Sequence, residues 1–237
     1  IESTLLTKAK KDSKISKFID LLSSTGTEAI FLNTADESNI LLTIYNAKME
    51  RTCYSYTPNS VTSKDLVNFD FSPYDAVFFC CLPYDEISDL FKKNSTIKQT
   101  NSIVIASGLS YTYFNENSFL PASDYLFLNR GELFEIFGKP WNGNWDEFDS
   151  YLERINVGKT SLIITMGADG VAGVINGKKF REKVETLKNI VHPGGAGDSF
   201  AVGFIYGILQ HMTIQNCCKI GHRCAEMMLS VFSVEEF

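Results

Sequence analysis

The chain has 237 residues, 44% of them hydrophobic, 13% aromatic and 21% charged, which is enough apolar material for one sizeable core and too much for a disordered chain. A formal net charge of −6 without a long Lys or Arg cluster argues against a nucleic-acid or anionic-membrane surface, while leaving open a local phosphate site built from backbone amides. No apolar run reaches the ~20 residues of a membrane span and no leader-like segment precedes the first helical stretch, so the expectation is a soluble, cytoplasmic protein of one domain spanning residues 1–237.

Apolar side chains at Ile15, Phe18, Ile19 and Leu22 recur at helical spacing, and Ser24-Thr25-Gly26 punctuates the stop. Three β-like runs follow, Ala29–Thr34, Asn39–Tyr45 and Arg51–Thr57, separated by short polar turns. That pattern predicts an antiparallel meander, a small β appendage near the N-terminus. After Thr62-Ser63-Lys64-Asp65 the pattern changes to short, continuous apolar runs: Ala76–Leu82, Ile103–Ala106, Tyr125–Leu128 and Ser161–Thr165. Continuous apolar strands alternating with helical segments predict a parallel sheet covered on both faces. Val171–Ile175, Asn176-Gly177 and Lys178–Arg181 predict a hairpin with a type I′ turn, its lysines Lys178 and Lys179 on a solvated edge. Two helices are expected at Ala196–Leu209 and Ile214–Leu229.

Six cysteines, Cys53, Cys80, Cys81, Cys217, Cys218 and Cys224, form no C-x-x-C pair, and there are only three histidines. Apolar neighbours favour core thiols over a zinc site.

The segment Val191-His192-Pro193-Gly194-Gly195-Ala196-Gly197-Asp198-Ser199-Phe200 carries the most chemistry. Glycines at a helix start let the backbone turn sharply and let an anion approach. The first amides of the helix have no intrahelical partner, and the helix dipole adds positive potential there. Asp198 in the first turn is within reach of anything bound at that point and can accept a proton from an attacking hydroxyl. The alternative is a turn whose Asp merely caps its helix. G-x-G-x-x-G fails because Phe200 fills the third glycine position, and no G-x-x-x-x-G-K-[ST] occurs. Asn129 and Glu132 flank the start of another helix, where a capping box is one reading. Thr165 and Gly167 lie where a strand ends and the chain must turn.

With these residues in place, the sequence resembles the ribokinase-like (phosphofructokinase-B type) carbohydrate kinases. Gly194 to Phe204, GGAGDSFAVGF, is similar to their G-A-G-D signature; Asn129-Arg130-Gly131-Glu132 matches N-x-x-E; Thr165 to Gly170, TMGADG, matches T-x-G-x-x-G. Glu50-Arg51-Thr52 resembles the start of a lid strand, and Thr7-Lys8 to Asp12 a G-K-x-G-x-D segment without its glycines. The resemblance implies a three-layer α/β/α fold with residues 29–57 as a β lid. It implies phosphoryl transfer from ATP to a hydroxymethyl group of a small sugar or related metabolite, with a nucleoside as the alternative acceptor, Asp198 as base and Gly195, Ala196 and Gly197 as the anion hole. Asn129 and Glu132 would organise Mg²⁺. Thr165, Gly167, Gly170 and His222 would border the nucleotide, and a monovalent cation is a further option. Paired lids would make a homodimer. A catalytically silent nucleotide- or metabolite-binding member is the alternative.

Two departures stand out. Family members begin with a strand bearing an early Asp and then G-G-x-x-x-N, whereas here no Gly-Gly pair occurs before Gly194 and the chain is expected to open directly at the later helix. The expectation is therefore a chain without its natural N-terminal segment. Ser107-Gly108 also stands where sugar kinases often carry D-P or D-x-N.

Overall fold

The computed structural model describes residues 2–10, 13–34, 40–45, 51–56, 60–80, 82, 84–99, 103–107, 123–136, 143–154, 159–184, 190–191 and 194–230. Asp12, Glu50, Cys81, Gly108 and the His192-Pro193 pair, all invoked above, lie outside these residues. The chain divides into two compact units, residues 1–69 and 70–237.

The first unit contains β1 (Ser3–Ala9), α1 (Ser13–Ser24), β2 (Thr27–Thr34), β3 (Ile40–Tyr45), β4 (Arg51–Tyr56) and α2 (Ser63–Leu66). Helix α1 ends as expected: Thr25 and Gly26 donate back to the carbonyls of Leu22 and Ser23, and Gly26 takes φ 79°, a conformation that favours glycine. The strands correct the sequence reading in two ways. Residues 3–9 form a strand, where the chain was expected to enter directly at the helix. Strand β2 pairs with it in parallel, Ser3 opposite Thr27 and Thr7 opposite Phe31, so it is not the first strand of a meander. The crossover through α1 makes parallel pairing the natural outcome. Strands β3 and β4 do pair antiparallel, Ile40 opposite Tyr56. Lys8 at the end of β1 forms a 2.6 Å ion pair with Asp65 of α2. Burial pushes the Asp65 carboxyl up, but the hydrogen bonds and charge of Lys8 and Thr62 outweigh it and hold it below its ordinary value.

The second unit contains β5 (Ala76–Cys80), α3 (Tyr84–Lys93), α4 (Thr96–Gln99), β6 (Ile103–Ser107), β7 (Tyr125–Asn129), α5 (Arg130–Ile136), α6 (Trp145–Arg154), β8 (Ser161–Thr165), β9 (Val171–Ile175), β10 (Lys178–Glu182), α7 (Ala196–Leu209) and α8 (Ile214–Leu229). One sheet runs in the order β10-β9-β8-β7-β6-β5. Strands β5 to β8 are parallel, and β9 and β10 complete it antiparallel. The β9–β10 turn has positive φ at Asn176 (50°) and Gly177 (74°), the type I′ geometry expected of Asn-Gly.

Both faces of the sheet are covered. On one, Phe127, Ile163, Val171 and Ile175 pack against Phe200, Phe204, Cys217 and Cys218 of α7 and α8; burying each phenylalanine contributes roughly 1.5–3 kcal/mol. Side chains alternate along a strand, so the buried Leu126, Leu128, Leu162 and Ile164 serve the opposite face. There α5 packs on β7 and β8, and Phe134 of α5 meets Phe148 and Tyr151 of α6. The expected three-layer α/β/α arrangement is present. Among the described residues no helix is long and apolar enough to cross a membrane.

Candidate active site

The four parallel strands end at one edge of the sheet, β7 and β8 running past β5 and β6, since Ser107 pairs with Phe127. Cys80 is opposite Ser107 and Asn129 is opposite Thr165, and these four residues close β5, β6, β7 and β8. Ligands of open α/β sheets gather at the carboxyl ends of parallel strands. The sequence-predicted residues Asn129, Glu132, Thr165, Gly167 and Gly170 all fall on the segments leaving this edge.

Helix α7 brings Asp198 to the same edge. The thiol of Cys80 lies 3.7 Å from Oδ1 of Asp198 and donates to it. Gly195 is the N-cap, in the left-handed region at φ 78°, and the first helical bond runs from the Ser199 amide to the Gly195 carbonyl at 2.9 Å. The amides of Ala196, Gly197 and Asp198 therefore precede the helical ladder and have no intrahelical acceptor. Asp198 is exposed, so its carboxylate is not consumed as a buried structural group. A Cβ on Gly197 would meet nothing within 4 Å, so the helix start is open at this position. Gly195, Ala196, Gly197 and Asp198 thus occupy the N-cap and first turn of α7.

Asn129 and Glu132 grip each other. The Asn129 amide donates to Glu132 Oε2 at 2.7 Å, and the Glu132 amide donates to Asn129 Oδ1 at 2.9 Å. This is a reciprocal capping box at the start of α5, the local reading left open by the sequence. Glu132 is 8% exposed, a nearly buried carboxylate at the strand edge.

The loop after β8 holds a one-turn 3-10 helix, Gly167–Asp169. Gly167 and Gly170 have φ 64° and 94°, and a Cβ on Gly170 would stand 2.2 Å from the Glu182 carbonyl, so the loop is folded tightly onto the end of β10. Arg130 pairs with Asp169 at 3.2 Å, joining the loop to the start of α5. An open cavity of about 430 Å³ borders it, lined by Trp145, Ala168, Asp169, Arg181, Glu182 and Lys183 among others. Asp198, Thr165, Gly167 and Gly170 are not among its lining residues. The Arg181 guanidinium lies 4.5 Å over the Trp145 ring and pairs with Asp149 at 2.6 Å.

His222 on α8 stacks beside Phe200 with ring centroids 5.2 Å apart, and its Nε2 is buried without a hydrogen-bond partner among the described residues. Burial pulls its pKa down against the opposing pull of Glu182.

Sequence reasoning missed Cys80, Trp145 and Arg181. Cys80 was expected in the core, yet it is exposed, while Cys217 and Cys218 are buried. Alternation could not have singled out Cys80, because Ala76 and Phe78 on its side of the strand pack against the core; Cys80 is exposed at the strand end. Trp145 and Arg181 belong to no motif and meet only through the fold.

The fold recurs among known proteins. A nucleoside kinase from Methanocaldococcus jannaschii is 29% identical over 107 residues, 45% of this chain. The matched segment covers 33% of that relative, so the chain spans about a third of the length of such curated relatives. The crystal structure of adenosine kinase from Sinorhizobium meliloti superposes with a TM-score of 0.77 at 16% identity, over 98% of this chain and 73% of that one. An Arabidopsis thaliana ribokinase complexed with ribose and ATP gives a TM-score of 0.74 at 14% identity, over 98% and 77%. The fold is that of the ribokinases. The model of the pfkB family of carbohydrate kinases matches residues 1–236, and the chain belongs to that family.

Proposed function

We propose that the protein transfers the γ-phosphoryl group of ATP to a hydroxymethyl group of a small sugar or nucleoside, with Asp198 as the general base. The observation that carries this reading is the exposed Asp198 carboxylate in the first turn of α7, beside amides without intrahelical acceptors and at the carboxyl edge of the parallel sheet. The solved adenosine kinase and the ribokinase with ribose and ATP supply the donor and the two acceptor classes.

In this mechanism Asp198 accepts the proton of the acceptor hydroxyl as its oxygen attacks the γ-phosphorus. The amides of Ala196, Gly197 and Asp198 donate to the oxygens of the moving phosphoryl group, where charge is spread in the transition state. Fixed donors need no reorganisation during transfer, and the dipole of α7 favours the same charge. The loop of Thr165, Gly167 and Gly170 borders the nucleotide in this reading, and His222, its Nε2 buried beside Phe200, belongs to the same expectation.

Asn129 and Glu132 would organise Mg²⁺ through water. Both side chains offer oxygen donors, which would suit a hard cation such as Mg²⁺, and Glu132 is the nearly buried carboxylate of the pair. When bound, that ion neutralises charge on the triphosphate. A monovalent cation belongs to the same reading, tested by rates in potassium and in its absence.

Residues 29–57 serve as the β lid in this proposal, in a cytoplasmic protein. Strands β3 and β4 pair only with each other among the described residues, and the outer edge of such a ribbon suits pairing with a second copy. The deciding experiment incubates the protein with ATP, Mg²⁺ and a panel of sugars and nucleosides and assigns the phosphorylated position by NMR. Phosphate on a hydroxymethyl oxygen is expected. ATP binding without transfer to any acceptor would instead favour a silent nucleotide-binding member.

A further inference from the structure

Cys80 is the last residue of β5 and is exposed, yet its thiol donates to Asp198 Oδ1 at 3.7 Å across 118 residues of sequence. Both ends of this contact are anchored. Strand β5 is held by its register with β6 and by the buried Phe79 ring, edge-on to Phe71 and Phe91 at 6.4 and 6.2 Å. Helix α7 is fixed on α8, where a Cβ on Gly203 would stand 2.9 Å from the Gly221 Cα. A thiol is a weak donor, so the effect of the contact is geometric: it engages one carboxylate oxygen and leaves the other to take a proton.

We propose that Cys80 is a positioning residue for Asp198, holding its carboxylate in the rotamer that turns Oδ2 toward the acceptor hydroxyl. The inference rests on the reading of Asp198 as the base. One consequence is that any group attached to the Cys80 sulfur stands against that carboxylate and excludes the acceptor from it.

Iodoacetamide tests the contact and its role separately. The Cys80 sulfur displaces iodide and forms a thioether, the thiol proton passing to buffer, and mass spectrometry reads the rate at each cysteine. Cys80 is expected to react well ahead of Cys217 and Cys218, whose thiols burial pushes up, that of Cys218 to about 12. Asp198→Asn should speed alkylation of Cys80 about threefold to tenfold, because an adjacent negative charge disfavours the reacting thiolate; this arm needs no catalysis. Cys80→Ala should lower kcat about threefold to tenfold while KM for ATP stays unchanged, Cys80→Ser should recover part of the loss, and alkylation should silence the wild type but not Cys80→Ala. An alkylation rate indifferent to Asp198→Asn, with that variant inactive, overturns this inference and leaves the base intact. A fully active Asp198→Asn overturns the base and this inference with it. Unchanged kcat in Cys80→Ala likewise overturns it.

Discussion

Gly203 of α7 faces Gly221 of α8 so closely that a Cβ on Gly203 would stand 2.9 Å from the Gly221 Cα and 2.9 Å from the Ile220 carbonyl. Those two atoms are backbone and cannot turn aside, and the Cys224 Sγ stands 2.8 Å from the same position. The two helices touch main chain to main chain, and this contact fixes where the N-terminus of α7, with Asp198 on it, meets the sheet. Gly203→Ala should therefore cost about 1–3 kcal/mol through overpacking, despite the better helix propensity of alanine. Urea unfolding measures it; a midpoint equal to wild type would contradict the close approach.

Gly197 presents the opposite case. A methyl group there meets nothing, so Gly197→Ala should leave the fold as stable as before or gain up to about 1 kcal/mol. On the proposed reading the phosphoryl group approaches these amides, and the added methyl group would crowd it. Transfer should fall at least about tenfold. A stable Gly197→Ala variant with wild-type turnover would remove the anion hole from the account.

Glu132 has two roles that substitution can separate. Glutamine keeps the N3 position of the capping box, whereas alanine removes it. Glu132→Ala should lose about 0.5–2 kcal/mol of stability. Glu132→Gln should keep most of the stability and raise the Mg²⁺ concentration required for half-maximal rate. If both variants share an unchanged Mg²⁺ requirement, Glu132 is a cap alone.

His222 makes stability depend on pH with a defined sign. Its folded pKa lies below the ordinary histidine value, chiefly through burial. Between that folded value and about 6.5 the unfolded chain binds a proton that the folded chain refuses. Its contribution is complete above about pH 6.5 and is lost as pH falls. Denaturation at a series of pH values should show His222→Gln with a shallower acid slope than wild type; equal slopes would contradict the burial argument.

What the sequence disclosed was local. The apolar run of β8, the Asn-Gly turn at Asn176 and the glycines before Asp198 each state their conformation within a few residues. Strand β1 was hidden because Ser-Thr-Leu-Leu-Thr-Lys-Ala is mostly half-buried, carries no continuous apolar run, and becomes a strand only by pairing with β2. The capping of Asn129 and Glu132 was readable from their three-residue spacing. The contact between Cys80 and Asp198 was not, since it joins two elements 118 residues apart. The cavity beside Asp169 was hidden in the same way, its walls coming from α6, the loop after β8 and the end of β10.

The central claim is that the Asp198 carboxylate takes the acceptor proton. Single-turnover transfer by Asp198→Asn, measured alongside its affinity for ATP, tests it most directly. The account predicts a rate lower by about 10²–10⁴ with ATP binding within a few-fold of wild type. Transfer at the wild-type rate in a variant that still binds ATP would contradict it.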